Sequence, residues 1–170
     1  MLTICPGCGL ELPGVETPSH PYIGASAACW AIYGRLLARE YGEFEMPPNH
    51  KFTVDAYAAQ HPGQDESRSR QSIGVHLIRL CLMLERDAPA DYATRIMSRA
   101  TNGSLGFPWF DPVTPIGTVT VSDVLAASDF AEHSRLVREW ADDIWSAWTE
   151  RHETVRRWVD RLEAQLPDFE

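Results

Sequence analysis

The sequence predicts a mainly α, single-domain helical bundle with an irregular, cysteine-containing N-terminal arm. Two observations predict it. Apolar residues recur at spacings of three and four in several segments, and the helix breakers are sharply segregated: there is neither Gly nor Pro from Thr118 to Leu166. The length of 170 residues is that of one globular domain with a moderate core.

Residues 1–21 carry Pro6, Pro13, Pro18 and Pro21 with Gly7, Gly9 and Gly14, which excludes a helix and leaves at most short extended pieces. A helix is expected from near Ala25, with Gly24 or Ser26 at its start and Cys29, Ile32, Tyr33, Leu36 and Leu37 on one face. Gly42, Pro47 and Pro48 stop it. A second helix is expected over Lys51–Gln60, ending at His61-Pro62-Gly63, and the polar run Gln64–Gln71 reads as an exposed loop. Ser72–Glu85 has almost no polar face, which predicts a buried central helix. A short helix is expected over Ala90–Ala100, completing a helical core over residues 22–100.

Residues 101–121 read as a Pro- and aromatic-rich irregular loop, with Thr118–Val121 as a short strand and Ser122 as the N-cap of the next helix. Residues 122–166 read as C-terminal helices. In them Val137, Ala141, Ile144, Trp148, His152, Val155, Val159, Leu162 and Leu166 form a sustained helical stripe. One helix from Phe130 to Gln165 would run about 54 Å, against about 40 Å for the whole domain. A break near Trp148–His152 is therefore expected, the alternative being a helix that protrudes to meet a partner or a second copy.

Composition narrows the function. Lys and Arg total 15 against 24 Asp and Glu, a formal net charge of -9. That balance argues against nucleic-acid and anionic-membrane partners. The most apolar stretch, Val75–Leu84, is short and carries His76 and Arg79, and the start has no basic or long apolar region. A cytoplasmic protein with reduced thiols is expected.

The sharpest chemical signal is Cys5-Pro6-Gly7-Cys8-Gly9. A two-residue gap in a tight turn lets both sulfurs approach one cation at about 2.3 Å. Pro6 fixes φ, and Gly7 and Gly9 are expected at positive φ, aiming amides at the sulfurs. The turn resembles the knuckle of rubredoxins and zinc ribbons, but no second such pair exists. The remaining zinc ligands are sought in Cys29, His20, His50, His61 and His76, with Cys29 and His61 favoured. A redox dithiol is the competing reading, disfavoured because the residues after Gly9 cannot form the helix that would activate the first thiol.

Among the histidines, His50 and His61 bracket the second helix. Eleven residues of helix would separate their imidazoles by about 16 Å, so they serve different places or His50 lies outside the helix. Asp55 is a candidate to orient an imidazole. His76 sits within the most apolar helix, either as a satisfied core residue or as a neutral ligand or base. His152 interrupts the C-terminal stripe among Trp145, Trp148 and Trp158, and either packs as core or faces the same pocket as His76 and His50. Cys81 reads as a small core residue.

Together, Cys5-Pro6-Gly7-Cys8-Gly9, Cys29-Trp30-Ala31-Ile32-Tyr33, Thr53-Val54-Asp55-Ala56-Tyr57 through Gln60-His61-Pro62-Gly63, Val75-His76-Leu77 with Leu80-Cys81 and Glu85, and Trp148 with His152 and Val155-Arg156 resemble an uncharacterised bacterial family, a domain of unknown function. The resemblance implies that Cys5, Cys8, Cys29, His50, Asp55, Gln60, His61, His76 and His152 belong to one pattern around a metal-and-histidine pocket. It implies no reaction. The residues admit three readings: a zinc protein, either closed and structural or an open-site hydrolase or transferase using His76 or His50 with Asp55; an interaction module; and a dithiol sensor. The ligand of any such pocket, a small molecule or a protein, stays open.

Overall fold

The computed structural model describes residues 1–166. The arm forms a two-stranded antiparallel hairpin, β1 (Leu2–Ile4) and β2 (Glu11–Pro13), in the register Leu2↔Pro13, Thr3↔Leu12, Ile4↔Glu11. Seven α-helices complete the described residues: α1 (Ala27–Gly42), α2 (His50–Gln60), α3 (Ser67–Glu85), α4 (Ala90–Arg99), α5 (Val121–Leu125), α6 (Phe130–Ala147) and α7 (His152–Glu163). The fold is mainly α, as expected.

α3 is the central helix. It packs against α2, α4, α6 and α7, and buries Ile73, Leu77, Ile78, Leu80 and Leu82 almost completely. Around it close Trp140 and Ile144 of α6 and Val155, Val159 and Leu162 of α7. Each such side chain taken out of water contributes about 1.5–3 kcal/mol. α2 lies between α3 and α6, and α1 packs on α5.

Three local expectations need correction. The segment 64–71 is not all loop, because α3 already begins at Ser67; its first turns are largely solvent-facing, and apolar periodicity cannot register a polar turn. Thr118–Val121 does not form a strand. The amides of Thr118 and Val119 donate to the Asp143 carboxylate (2.6 and 2.9 Å), and the carbonyls of Ile116 and Val119 accept from Gln60 Nε2 (2.8 and 2.9 Å). Side chains thus take the backbone groups that a ladder would need. The cap of α5 is Thr120, in a capping box with Asp123, rather than Ser122.

The long C-terminal segment does break where its length requires. α6 ends at Ala147 and a single 3₁₀ turn, Thr149–Arg151, precedes α7. His152 Nε2 donates to the Trp145 carbonyl at 2.8 Å, a second donor beside Trp148 N–H (3.0 Å) at the α6 C-terminus, and its ring stacks on Trp145 at 3.8 Å. The break lays α7 back on α3, so the length mismatch that pointed to a protruding helix disappears.

Candidate metal centre

The hairpin arm, the N-terminal end of α1 and the C-terminal end of α2 meet at one buried point. Between β1 and β2 the chain turns through Cys5 and Cys8, closed by bonds from Gly9 N to Cys5 O (2.9 Å) and Cys5 N to Leu10 O (2.8 Å). Gly9 has φ +76°, the conformation its lack of a β-carbon permits. Gly7 does not take the positive φ expected of it. It is needed for space: a β-carbon there would lie 2.4 Å from the Gln60 carbonyl oxygen and 2.5 Å from Cδ2 of His61. The knuckle therefore sits flush on the end of α2.

Ser26 caps α1 by accepting from Cys29 N (3.2 Å), which brings Cys29 in the first turn of α1 toward the arm. From α2, His61 completes the group. One ligand atom each from Cys5, Cys8, Cys29 and His61 lies within 4.8 Å of all the others, and all four residues are buried.

The distances have a chemical meaning. A tetrahedral zinc shell with Zn–S about 2.3 Å and Zn–N about 2.0–2.1 Å has S···S edges of about 3.8 Å and S···N edges of about 3.6 Å. Here Cys8 Sγ lies 3.8 Å from Cys29 Sγ, and Cys29 Sγ lies 3.5 Å from His61 Nε2. Both separations are compatible with edges of such a tetrahedron and far longer than a disulfide.

The surroundings suit a thiolate-bound cation. His61 Nδ1 lies 2.7 Å from the Tyr57 carbonyl, which can only accept, so Nδ1 carries the proton and Nε2 turns its lone pair to the sulfurs. Ser26 N donates to Cys5 Sγ (3.4 Å) and Tyr57 OH donates to Cys29 Sγ (3.6 Å). Bonds from Cys29 and Cys8 draw Cys5 strongly toward thiolate against the opposing effect of burial. Cys29 is driven far upward by its bonds to Cys5 and Cys8. Cys8 is pushed up to about 11, the lowering bond from Cys29 being outweighed by Cys5 and by burial. A divalent cation would displace the remaining protons.

The other candidates lie elsewhere. His50, the first residue of α2, places Nδ1 2.6 Å from Glu40 Oε2. His76 places Nδ1 2.7 Å from Asp55 Oδ1, so Asp55 does orient an imidazole, though not a metal-side one. His152 serves the α6 terminus. His50, His76 and His152 thus share no pocket with the four-donor group, contrary to the pooled pattern. Gln60 is a clamp: besides the two carbonyls above, its Oε1 accepts from Trp140 Nε1 at 3.1 Å. Cys81 is buried in the core beside Glu85, and burial pushes its thiol up to about 12.

Sequence reasoning passed over one cluster. Glu40, fully buried, accepts from Thr53 Oγ1 (2.6 Å) and pairs with His133 Nε2 (3.0 Å) as well as His50. The signal was available: Cys29, Tyr33, Leu36 and Glu40 are the buried stripe of α1, and a carboxylate on that stripe requires buried partners.

The geometry defines a class, a small helical-bundle protein with a buried Cys₃His donor set joining its arm to its core. The chain belongs to a family of unknown function, DUF5946, whose model matches residues 3–149. The match covers the arm from Thr3, α1–α6 with the whole irregular loop between α4 and α5, and all four donors. His152, Val155 and Arg156 lie beyond it. No curated protein and no solved structure matches the chain. No helix among the described residues is long and apolar enough to cross a membrane.

Proposed function

We propose that Cys5, Cys8, Cys29 and His61 hold one Zn²⁺ in a closed structural centre that fastens the N-terminal arm to the helical body, in a reducing compartment such as the cytoplasm. The observation that carries this reading is the match between the donor–donor separations, 3.8 and 3.5 Å, and the edges of a zinc tetrahedron. Four N/S donors fill that shell. Metal-assisted hydrolysis or group transfer would need an open position for water or substrate, so the structural alternative is favoured. The dithiol-sensor reading needs two sulfurs and gives no reason for His61 to present a tautomer-fixed Nε2 to them.

Cobalt substitution separates these readings. The Co²⁺ protein should show thiolate charge-transfer and tetrahedral d–d bands that azide leaves unchanged. Bands that shift on adding azide would reveal an open coordination position and overturn the structural assignment in favour of a catalytic one.

A further inference from the structure

A second site lies on α3, apart from the four donors. Arg68, Ser72 and His76 recur every four residues and so share one helix face. With Gln71, Val75 and Tyr22 they line an open cavity of about 270 Å³. That is near the lower end of the volumes, about 300–1,000 Å³, that small-molecule pockets offer.

The His76 ring is set by a buried support. Asp55, with no exposed surface, receives Arg79 across both carboxylate oxygens, Nε at 2.8 Å from Oδ2 and Nη2 at 2.7 Å from Oδ1. Asp55 Oδ1 also faces His76 Nδ1 at 2.7 Å. A carboxylate so held accepts, so His76 Nδ1 donates to it and Nε2 is the ring nitrogen that Asp55 leaves unengaged. Nδ1 points at a fully buried partner, so the 15% exposure of the side chain belongs to the opposite edge. Among the described residues Nε2 has no hydrogen-bond partner, and Arg68, exposed at the same cavity, has no carboxylate within ion-pair distance. The cavity thus offers one oriented imidazole edge and one guanidinium that has no ion-pair partner among the described residues.

We propose that Arg68 and the Asp55-supported His76 form a binding site for a small anionic molecule, one whose carboxylate or phosphate also carries a hydroxyl. The guanidinium takes the anionic group and Nε2 accepts the hydroxyl proton's hydrogen bond. Arg79 and Asp55 act as positioning residues that never touch the ligand.

The test tracks the His76 ring by NMR at neutral pH while inorganic phosphate, glycolate or acetate is titrated into the full chain. Phosphate and glycolate should shift the His76 resonances saturably, and acetate, lacking the hydroxyl, should bind about tenfold or more weakly. Arg68→Gln, a surface change that leaves the far-UV circular dichroism intact, should weaken both ligands at least tenfold. His76→Gln, followed by isothermal titration calorimetry because the reporter ring is gone, should show no preference for glycolate over acetate. Resonances that stay put with phosphate and glycolate, or equal binding by Arg68→Gln and the unaltered chain, would overturn the proposal. Zinc content is unaffected by either substitution, so this result is independent of the metal centre.

Discussion

Glu40 has no exposed surface and meets the imidazoles of His50 (2.6 Å) and His133 (3.0 Å) and the Thr53 hydroxyl (2.6 Å). Burial alone would raise its carboxyl, but bonds from His133, His50 and Thr53 outweigh that and hold it below the ordinary range. A depressed native carboxyl contributes stability that is present above its unfolded value, about 4.3, and lost as pH falls through the native value. Glu40→Gln should cost about 1–3 kcal/mol at pH 7 by leaving buried donors poorly matched. It should also flatten part of the acid limb of the denaturation-midpoint profile. The comparison with the unaltered chain isolates Glu40 from acid loss of the proposed metal, which both proteins would share. An identical acid limb in the variant would show that Glu40 carries none of it. His133 joins this cluster from a helix 93 residues away in sequence. No local pattern encodes such a pairing, which is why the sequence alone assigns that histidine no role.

The helices were legible wherever an apolar stripe ran through them, because burying one face is what stabilises a helix in a domain. The α6–α7 break was legible from length alone. What decides it chemically, His152 reaching back to the Trp145 carbonyl, was not, since that cap comes from beyond the helix it closes. The irregular stretch between α4 and α5 was recognised as irregular but not as fixed. Gln60 fixes it, donating to the Ile116 and Val119 carbonyls and accepting from Trp140 Nε1. Gln60→Ala orphans three partners, two of them buried, and should cost about 2–3 kcal/mol in denaturant. It should also open residues 111–119 to limited proteolysis while helicity is retained. Unchanged cleavage in that stretch would contradict the clamp.

On the scale of the whole molecule, the Cys₃His cluster brings together three pieces of chain, the hairpin arm, the start of α1 and the end of α2, and the proposed metal would tie them. Cys5 and Cys8 were legible because their spacing is itself the turn chemistry of a metal knuckle. Cys29 and His61 were legible as the remaining soft donors at helix ends. The flush contact that makes Gly7 necessary was not, because it depends on where α2 stops. The most direct measurement is elemental analysis of protein purified under reducing conditions, beside Cys5→Ser and His61→Ala prepared identically. One equivalent of zinc in the parent, lost from both variants, is the predicted result. Full zinc retained by either variant, or a folded parent that carries no metal and takes up none, would contradict it.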